Sequence, residues 1–174
     1  MGWIDPGLVI GGLLGGFTMG LTGMGGGALL TPMLVLVFGV PPTAAVGSDL
    51  VTSLAVKPFG GAIHARAGTV RWDLVRWLSL GSVPGALAGV TLLHAVGAGA
   101  DELVKIMLGF TLLAAAAVMV WRARNPVPDH VGPPTPVRPI PTVALGLIGG
   151  TVVGLTSVGS GSLMIAVLTL LYPK

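Results

Sequence analysis

The sequence predicts an all-α fold: a polytopic bundle of membrane helices built from two related repeats, each opening with a glycine-broken helix. Three observations predict it. Of the 174 residues, 53% are hydrophobic and only 9% are charged, against about 25% charged in an ordinary soluble domain. Apolar stretches long enough to cross a bilayer recur along the chain. A glycine-rich segment near the start of the chain also returns near its end.

This composition excludes several classes of protein. The charged side chains are too few to cover a soluble globule, and a disordered chain needs low hydrophobicity. The sequence contains no cysteine, which excludes a disulfide scaffold and a thiolate metal site. The net charge of +3 comes from basic residues that lie between apolar runs, as expected at the inner face of a membrane protein. We therefore expect the lipid bilayer as a partner, no nucleic acid and no cofactor.

The first repeat is predicted to occupy residues 1–121. It begins with a broken helix at 7–39, within a stretch that carries no formal charge. Three spans follow, at 43–65, 74–96 and 103–121. As helices they are about 28–35 Å long, which is enough to cross the hydrocarbon core.

The remainder of the chain is predicted to be a linker and the start of a second repeat. Residues 122–141 are rich in proline, which disfavours helix and indicates an extended cytoplasmic linker. Residues 142–174 are predicted to be the first segment of a second, truncated repeat. A missing C-terminal half or a homo-oligomer would complete such an assembly.

Charges in the connections orient the spans. The 66–76 and 122–141 connections carry three arginines each, and arginine-rich connections stay in the cytoplasm. The 97–102 connection contains Asp101 and Glu102 and is predicted to face outward. We expect a multi-pass protein of the cell membrane, in bacteria the inner membrane.

The internal repeat becomes visible when the sequence is shifted by 134 positions. Residues 12–38 then lie on residues 146–172 without a gap, and 12 of 27 positions are identical. Chance matching of abundant glycine and leucine is the alternative. Ungapped agreement across the polar centre of the segment favours duplication.

The glycine run at Gly23–Gly27 is the first candidate site. Each glycine costs about 1 kcal/mol relative to alanine inside a helix, so the run favours an unwound turn. At membrane depth, such backbone is tolerated only inside protein or beside a water-filled cavity, where its N–H groups can bind an anion. Matching breaks in two halves indicate the central site of a transporter. The alternative is close helix packing, for which Gly12, Gly16 and Gly20 have the right spacing, as do Gly81, Gly85 and Gly89.

Charged residues inside a span are the second candidate. Asp49 and Lys57 both lie in the 43–65 span, eight residues apart and on a similar helical face. Intramembrane charges usually face a cavity or a partner. The alternatives are local pairing of Asp49 near the outer interface and snorkelling of Lys57 toward the inner one. The candidate substrate-binding residues are Thr22, Gly23, Gly25, Gly26, Gly27, Ser48, Asp49, Ser53, Lys57, Thr156, Gly159, Ser160 and Gly161.

The segment GLTGMGGGALLTPMLVLVFGVPPTAAVGSDLV, residues 20–51, resembles the opening signature of the sulfite exporter TauE/SafE family of membrane transporters. The glycine-rich helix at 81–89 and the recurrence at Gly146–Gly161 resemble that family too. Three positions depart from the pattern. Ser160 interrupts the second glycine run, Ala166 stands where Pro32 would recur, and Asp49 replaces a small or hydroxyl residue.

The resemblance implies about eight segments in two halves and transport of sulfite, thiosulfate, sulfonates or related organic anions. We expect a small anionic substrate bound by the glycine breaks and by Thr22, Ser48 and Ser53, with Lys57 as the counter-charge. The alternative is a non-transporting membrane subunit whose glycines serve packing. No convergent set of His, Asp and Glu indicates an enzyme.

The relative orientation of the repeats depends on how residues 7–39 cross the membrane. A broken helix that crosses once makes the repeats parallel, whereas a re-entrant hairpin makes them inverted. A count of eight segments favours the single crossing.

The predicted topology can be tested with single cysteines, because the chain has none of its own. We expect Gly99→Cys to react with an impermeant maleimide added to intact cells, and Pro133→Cys to react only after the membrane is permeabilised. Labelling of Pro133→Cys from outside would overturn the topology.

Overall fold

The fold is known from a computed structural model that describes residues 6–22, 26–125 and 136–158, together with Met164, Leu168 and Tyr172. The described ranges are helical and contain no strand. The helices are α1 (Pro6–Thr22), α2 (Leu30–Leu36), α3 (Pro42–Arg66), α4 (Trp72–Val96), α5 (Ala100–Arg124) and α6 (Pro139–Thr156). Short 3₁₀ turns lie at Gly26–Ala28 and Gly97–Gly99. The all-α prediction is confirmed.

The outer surface of the bundle is apolar, as a lipid-facing surface must be. Leu54 is 78% exposed and Ile140 is 81% exposed, and many other large apolar side chains are also exposed. Among the described residues, two stretches are long and apolar enough to cross a membrane: Trp72–Trp121, with mean hydropathy 2.3, and Pro139–Thr156, with mean hydropathy 1.5. So much exposed apolar surface is typical of a protein that faces lipid rather than water.

A polar contact joins the first turns of α3 and α5. The Asp101 carboxylate accepts hydrogen bonds from the Thr43 backbone N–H at 3.0 Å and from Thr43 Oγ1 at 2.8 Å. The first N–H groups of a helix have no partner within it, so Asp101 caps α3 from a neighbouring helix. The starts of α3 and α5 therefore lie at the same end of the bundle.

Helices α4 and α6 run parallel and pack through glycine. Three glycines of α4 contact α6, and three glycines of α6 contact α4: Gly81, Gly85 and Gly89, and Gly146, Gly150 and Gly154. A Cβ added to Gly89 would lie only 2.6 Å from the Thr151 carbonyl oxygen. The packing interpretation therefore holds for the Gly81–Gly89 stripe.

The corresponding stripe on α1 is open. A Cβ added to Gly12, Gly16 or Gly20 would meet no described atom within 4 Å. Among the described residues, packing therefore does not account for these three glycines.

The first glycine-broken segment is a hairpin. A Cβ added to Gly11 would lie 3.0 Å from the Met33 methyl group and 3.2 Å from the Phe38 ring, and one on Gly15 would lie 2.5 Å from Leu30. Later residues of the second arm thus meet earlier residues of α1. The two arms therefore lie side by side, as in the re-entrant hairpin that the sequence left open beside a single crossing.

The second glycine-broken segment also returns to its own start. Tyr172 Oη accepts a hydrogen bond from the Arg138 backbone N–H at 2.8 Å and donates one to the Arg138 carbonyl at 3.1 Å. Met164 lies against Gly149. The 134-residue shift places Met164 on Leu30 and Gly149 on Gly15, and Leu30 and Gly15 are also in contact. The same contact therefore recurs in both hairpins.

The linker is shorter than the sequence predicted. Helix α5 continues to Arg124 and α6 begins at Pro139, while residues 126–135 lie outside the described part of the chain. Pro139 and Pro141 belong to the first turn of α6. Proline is tolerated there because the first N–H groups of a helix lack partners anyway.

Two glycines at equivalent helical positions should respond oppositely to alanine. Gly150→Ala places a Cβ against the Ser82 backbone and should destabilise the protein by about 1–3 kcal/mol. The Cβ of Gly16→Ala meets no described atom within 4 Å, so this change should be neutral or stabilise α1 by up to about 1 kcal/mol. Melting temperature in detergent and membrane abundance measure both effects. Equal losses for the two variants would contradict the α4–α6 glycine contact.

Candidate functional site

The tips of the two hairpins touch each other. Gly27, at the first break, lies so close to the second that an added Cβ would collide with the Ser157 carbonyl and lie 2.8 Å from the Val158 nitrogen. Gly27 and Val158 are both buried. The glycine is required at this position because the two backbones meet with no room for a side chain.

A hydrogen bond between side chains ties α3 to this contact. Ser157 Oγ donates to Asp49 Oδ2, and both residues are almost fully buried, with 2% and 4% of their surface exposed. The bond links the first third of α3 to the end of α6. A buried carboxylate needs such a donor, because an unsatisfied one is costly in an apolar surrounding.

Ser157 has an unusual backbone conformation. It follows the last residue of α6 with φ 57° and ψ −6°, the left-handed region, and is the one non-glycine residue with positive φ among those described. The 134-residue shift places it on Gly23, and glycine adopts this conformation without strain. A strained serine at this position indicates that its hydroxyl is needed.

Thr156 stabilises the end of α6. Its Oγ1 donates to the Val152 carbonyl at 2.7 Å and accepts from the Val158 N–H at 3.2 Å. Only 1% of its surface is exposed. The hydroxyl thus satisfies a backbone N–H just beyond the point where the helix stops, and it holds the tip of the second hairpin in place.

A cleft of about 730 Å³ lies beside this contact, between α3, α4 and α6. Its polar lining consists of Ser53, Lys57 and Ser82, and the rest is apolar apart from backbone. Pro58 also lines the cleft and has no N–H to donate to the carbonyl of Leu54, four residues earlier. Asp49 does not line the cleft, but it lies one helical turn before Ser53 on α3.

The candidate residues from the sequence lie in several different places. Asp49, Gly27 and Thr156 lie at or beside the hairpin contact, while Ser53 and Lys57 line the cleft. Ser48 lies elsewhere: it is exposed, and its hydroxyl donates to the Ala45 carbonyl of its own helix at 2.9 Å. Gly26 belongs to the first 3₁₀ turn and Thr22 ends α1. The candidates outside the described residues are Gly23, Gly25, Gly159, Ser160 and Gly161.

Sequence reasoning missed three polar residues. Ser157 could have been found by its place opposite Gly23 in the repeat. Ser82 could have been found by its place in the Gly81–Gly89 stripe. Thr31 is fully buried, and its Oγ1 has no hydrogen-bond partner among the described residues. Nothing in the sequence distinguishes it from other membrane threonines.

These features define a class of protein. Helical membrane proteins with two glycine-broken hairpins that meet beside a cleft have the plan of secondary transporters, whose substrate sites lie where broken helices converge.

The comparisons agree with this class. The family model for Sulfite exporter TauE/SafE matches residues 8–174, and the chain belongs to that family. It is 40% identical over 164 residues to a probable membrane transporter protein, YjnA, from Bacillus subtilis. It is 32% identical over 114 residues to a probable membrane transporter protein from Xylella fastidiosa. No solved structure matches the chain.

The relatives are longer than the matched region. The match covers 90% of this chain and 64% of YjnA, and it covers 64% of this chain and 42% of the Xylella fastidiosa protein. The chain therefore spans less than two thirds of the length of these relatives.

The bond between Ser157 and Asp49 can be measured with a double-mutant cycle. Ser157→Ala should cost about 1–3 kcal/mol, because it leaves a buried carboxylate without its donor. The same change in an Asp49→Ala background should cost much less. Thermal melting in detergent gives both values, and Ser48→Ala, on the exposed face of α3, is the control. Equal losses in both backgrounds would show that the bond contributes nothing.

Proposed function

We propose that the protein carries a small anion across a bacterial cell membrane, and that the anion is sulfite or a related sulfur-containing or organic anion. The observation that carries this proposal is the cleft between α3, α4 and α6, in which Lys57 is the charged side chain and the surrounding surface is apolar. A cation beside apolar surface at membrane depth attracts an anion more strongly than the same cation in bulk water.

The depth of Lys57 supports a role in binding. Lys57 lies about 22 Å along α3 from Pro42, with nine further residues before the helix ends at Arg66. An ammonium group inside a bilayer costs about 2.5–3.5 kcal/mol at the helix centre. Arg66 and His64, nearer the end of the helix, already provide interfacial anchors. A further basic residue deeper in the helix is better explained by an anion than by anchoring.

Hydroxyl groups supply the remaining polar contacts of the proposed site. Ser53 lies one turn from Lys57 on α3, and Ser82 faces the same cleft from α4. Each hydroxyl can donate one hydrogen bond to an oxyanion. The hairpin tips touch at Gly27 and Ser157, and the substrate sites of carriers with broken helices lie where such breaks converge.

The alternative is a membrane subunit that does not transport. The observation that favours it is that the glycines between α4 and α6 serve helix packing. The cleft distinguishes the two functions, because packing alone does not require a lysine and two serines in an apolar cleft. Uptake of labelled sulfite by vesicles that contain the protein separates them directly.

Replacement of Lys57 tests the proposed site. In reconstituted vesicles we expect Lys57→Met to raise the KM for labelled sulfite by roughly tenfold or more, because the anion loses one charge-assisted hydrogen bond. Lys57→Arg should retain part of the affinity because it keeps the charge.

The matched control is Lys105→Met, which makes the same chemical change at a lysine of α5 that does not line the cleft. Its KM should equal that of the parent. Unchanged transport by Lys57→Met at equal abundance would mean that Lys57 only anchors the helix.

A further inference from the structure

The Asp49 carboxylate has no role in the anion cleft described above. It is 4% exposed, it accepts a hydrogen bond from Ser157 Oγ, and it does not line the cleft. An ionised carboxylate at membrane depth is costly and usually marks a functional site. Its position beside an anion site makes the cost larger, because two negative charges repel each other strongly where water is scarce.

The charged side chain that acts on Asp49 is Lys57, eight residues later on α3 and about 12 Å along the axis. His64 and Arg66 lie farther on. Helices α2 and α6 carry no charged side chain. Helix α5 carries its charges near its two ends: Asp101, Glu102, Lys105, Arg122 and Arg124. Asp101 is committed to Thr43, at the start of α3.

Asp49 is nevertheless connected to the cleft. Asp49, Ser53 and Lys57 follow one another at intervals of four residues along α3, so each lies about 6 Å from the next on a similar face. Ser53 and Lys57 both line the cleft. A proton carrier in the cleft, such as water, would therefore be one helical turn from the Asp49 carboxylate.

Resting on the proposed function, we propose that Asp49 binds the proton that is transported together with the anion. A proton from a hydronium ion in the cleft adds to Oδ1, the oxygen that Ser157 does not bond, and a water molecule is released. The carboxyl group is then neutral, and the anion no longer meets a second negative charge. Release of the proton on the other side of the membrane restores the carboxylate.

The bond to Ser157 couples this proton to the conformation of the protein. A hydrogen bond to a carboxylate is stronger than one to a neutral carboxyl group. Protonation therefore weakens the link between α3 and the end of α6, at the point where the hairpin tips meet. Because Ser157 holds a strained backbone conformation, the weakened link favours movement of this end of α6.

A proton fits this site better than a metal cation. Ser157 Oγ directs its hydrogen toward Asp49, whereas a sodium ion would need oxygen lone pairs directed at it. Among the described residues, no group of three His, Cys, Asp or Glu side chains is placed to hold a metal ion. Dependence of uptake on a sodium gradient is thus an outcome that would contradict the proposal.

The test uses vesicles that contain the protein, with labelled thiosulfate as the probe because its charge does not change across the neutral pH range. For the parent, we expect accumulation when the outside is acidic, and loss of that accumulation with a protonophore. Asp49→Asn should reduce gradient-driven accumulation by about tenfold or more. It should still exchange external labelled for internal unlabelled thiosulfate, because the anion cleft is intact.

Two further variants make the result decisive. Asp101→Asn removes a carboxylate from the same end of the bundle and should keep gradient-driven accumulation. Asp49→Glu keeps a titratable group and should retain proton-driven uptake with a displaced pH profile. This variant tests the assignment of the proton to residue 49 even if Asp49→Asn does not assemble.

The outcomes separate the two proposals. If the parent exchanges neither thiosulfate nor sulfite, the proposed transport function is wrong. If the parent exchanges anion and Asp49→Asn accumulates it as well as the parent does, only the assignment of the proton to Asp49 is wrong.

Discussion

Inside a bilayer, backbone N–H and C=O groups that leave the helical pattern need hydrogen-bond partners within the protein. The architecture of this chain follows from how it supplies those partners. Gly27 brings one hairpin tip directly against Ser157 and Val158 of the other. Thr156 supplies a hydroxyl to the Val158 N–H. Because backbone meets backbone here, the two breaks shield each other from lipid. Asp49 then fixes α3 against the same point, and the cleft forms beside it.

The helices were predictable from the sequence, whereas the paths of the glycine-broken segments were not. The 43–65 and 74–96 segments lie within α3 and α4 almost residue for residue, because each is a helix-length apolar run bounded by prolines, glycines or charges. Whether residues 7–39 cross or return depends on contacts such as that of Phe38 with Gly11. Those contacts are long-range, and no local preference encodes them.

The candidate site was predictable in residue type but not in arrangement. Asp49 and Lys57 were singled out because charge is rare inside a span. Ser48 was grouped with them, yet the rotation of α3 turns it outward, and hydropathy does not report that rotation. Ser157 lies in a glycine-rich run of the sequence, where a small residue does not stand out, although its place opposite Gly23 distinguishes it. Glycine stripes of the same spacing on α1 and α4 likewise differ in what covers them.

The distance along the chain between Asp49 and Ser157 bears on how the protein is made. The two residues are 108 positions apart, so Asp49 leaves the ribosome and reaches the translocon long before its hydrogen-bond donor has been synthesised. A nascent chain that stalls before α6 therefore carries, within α3, a carboxylate that lacks the donor it has in the folded protein.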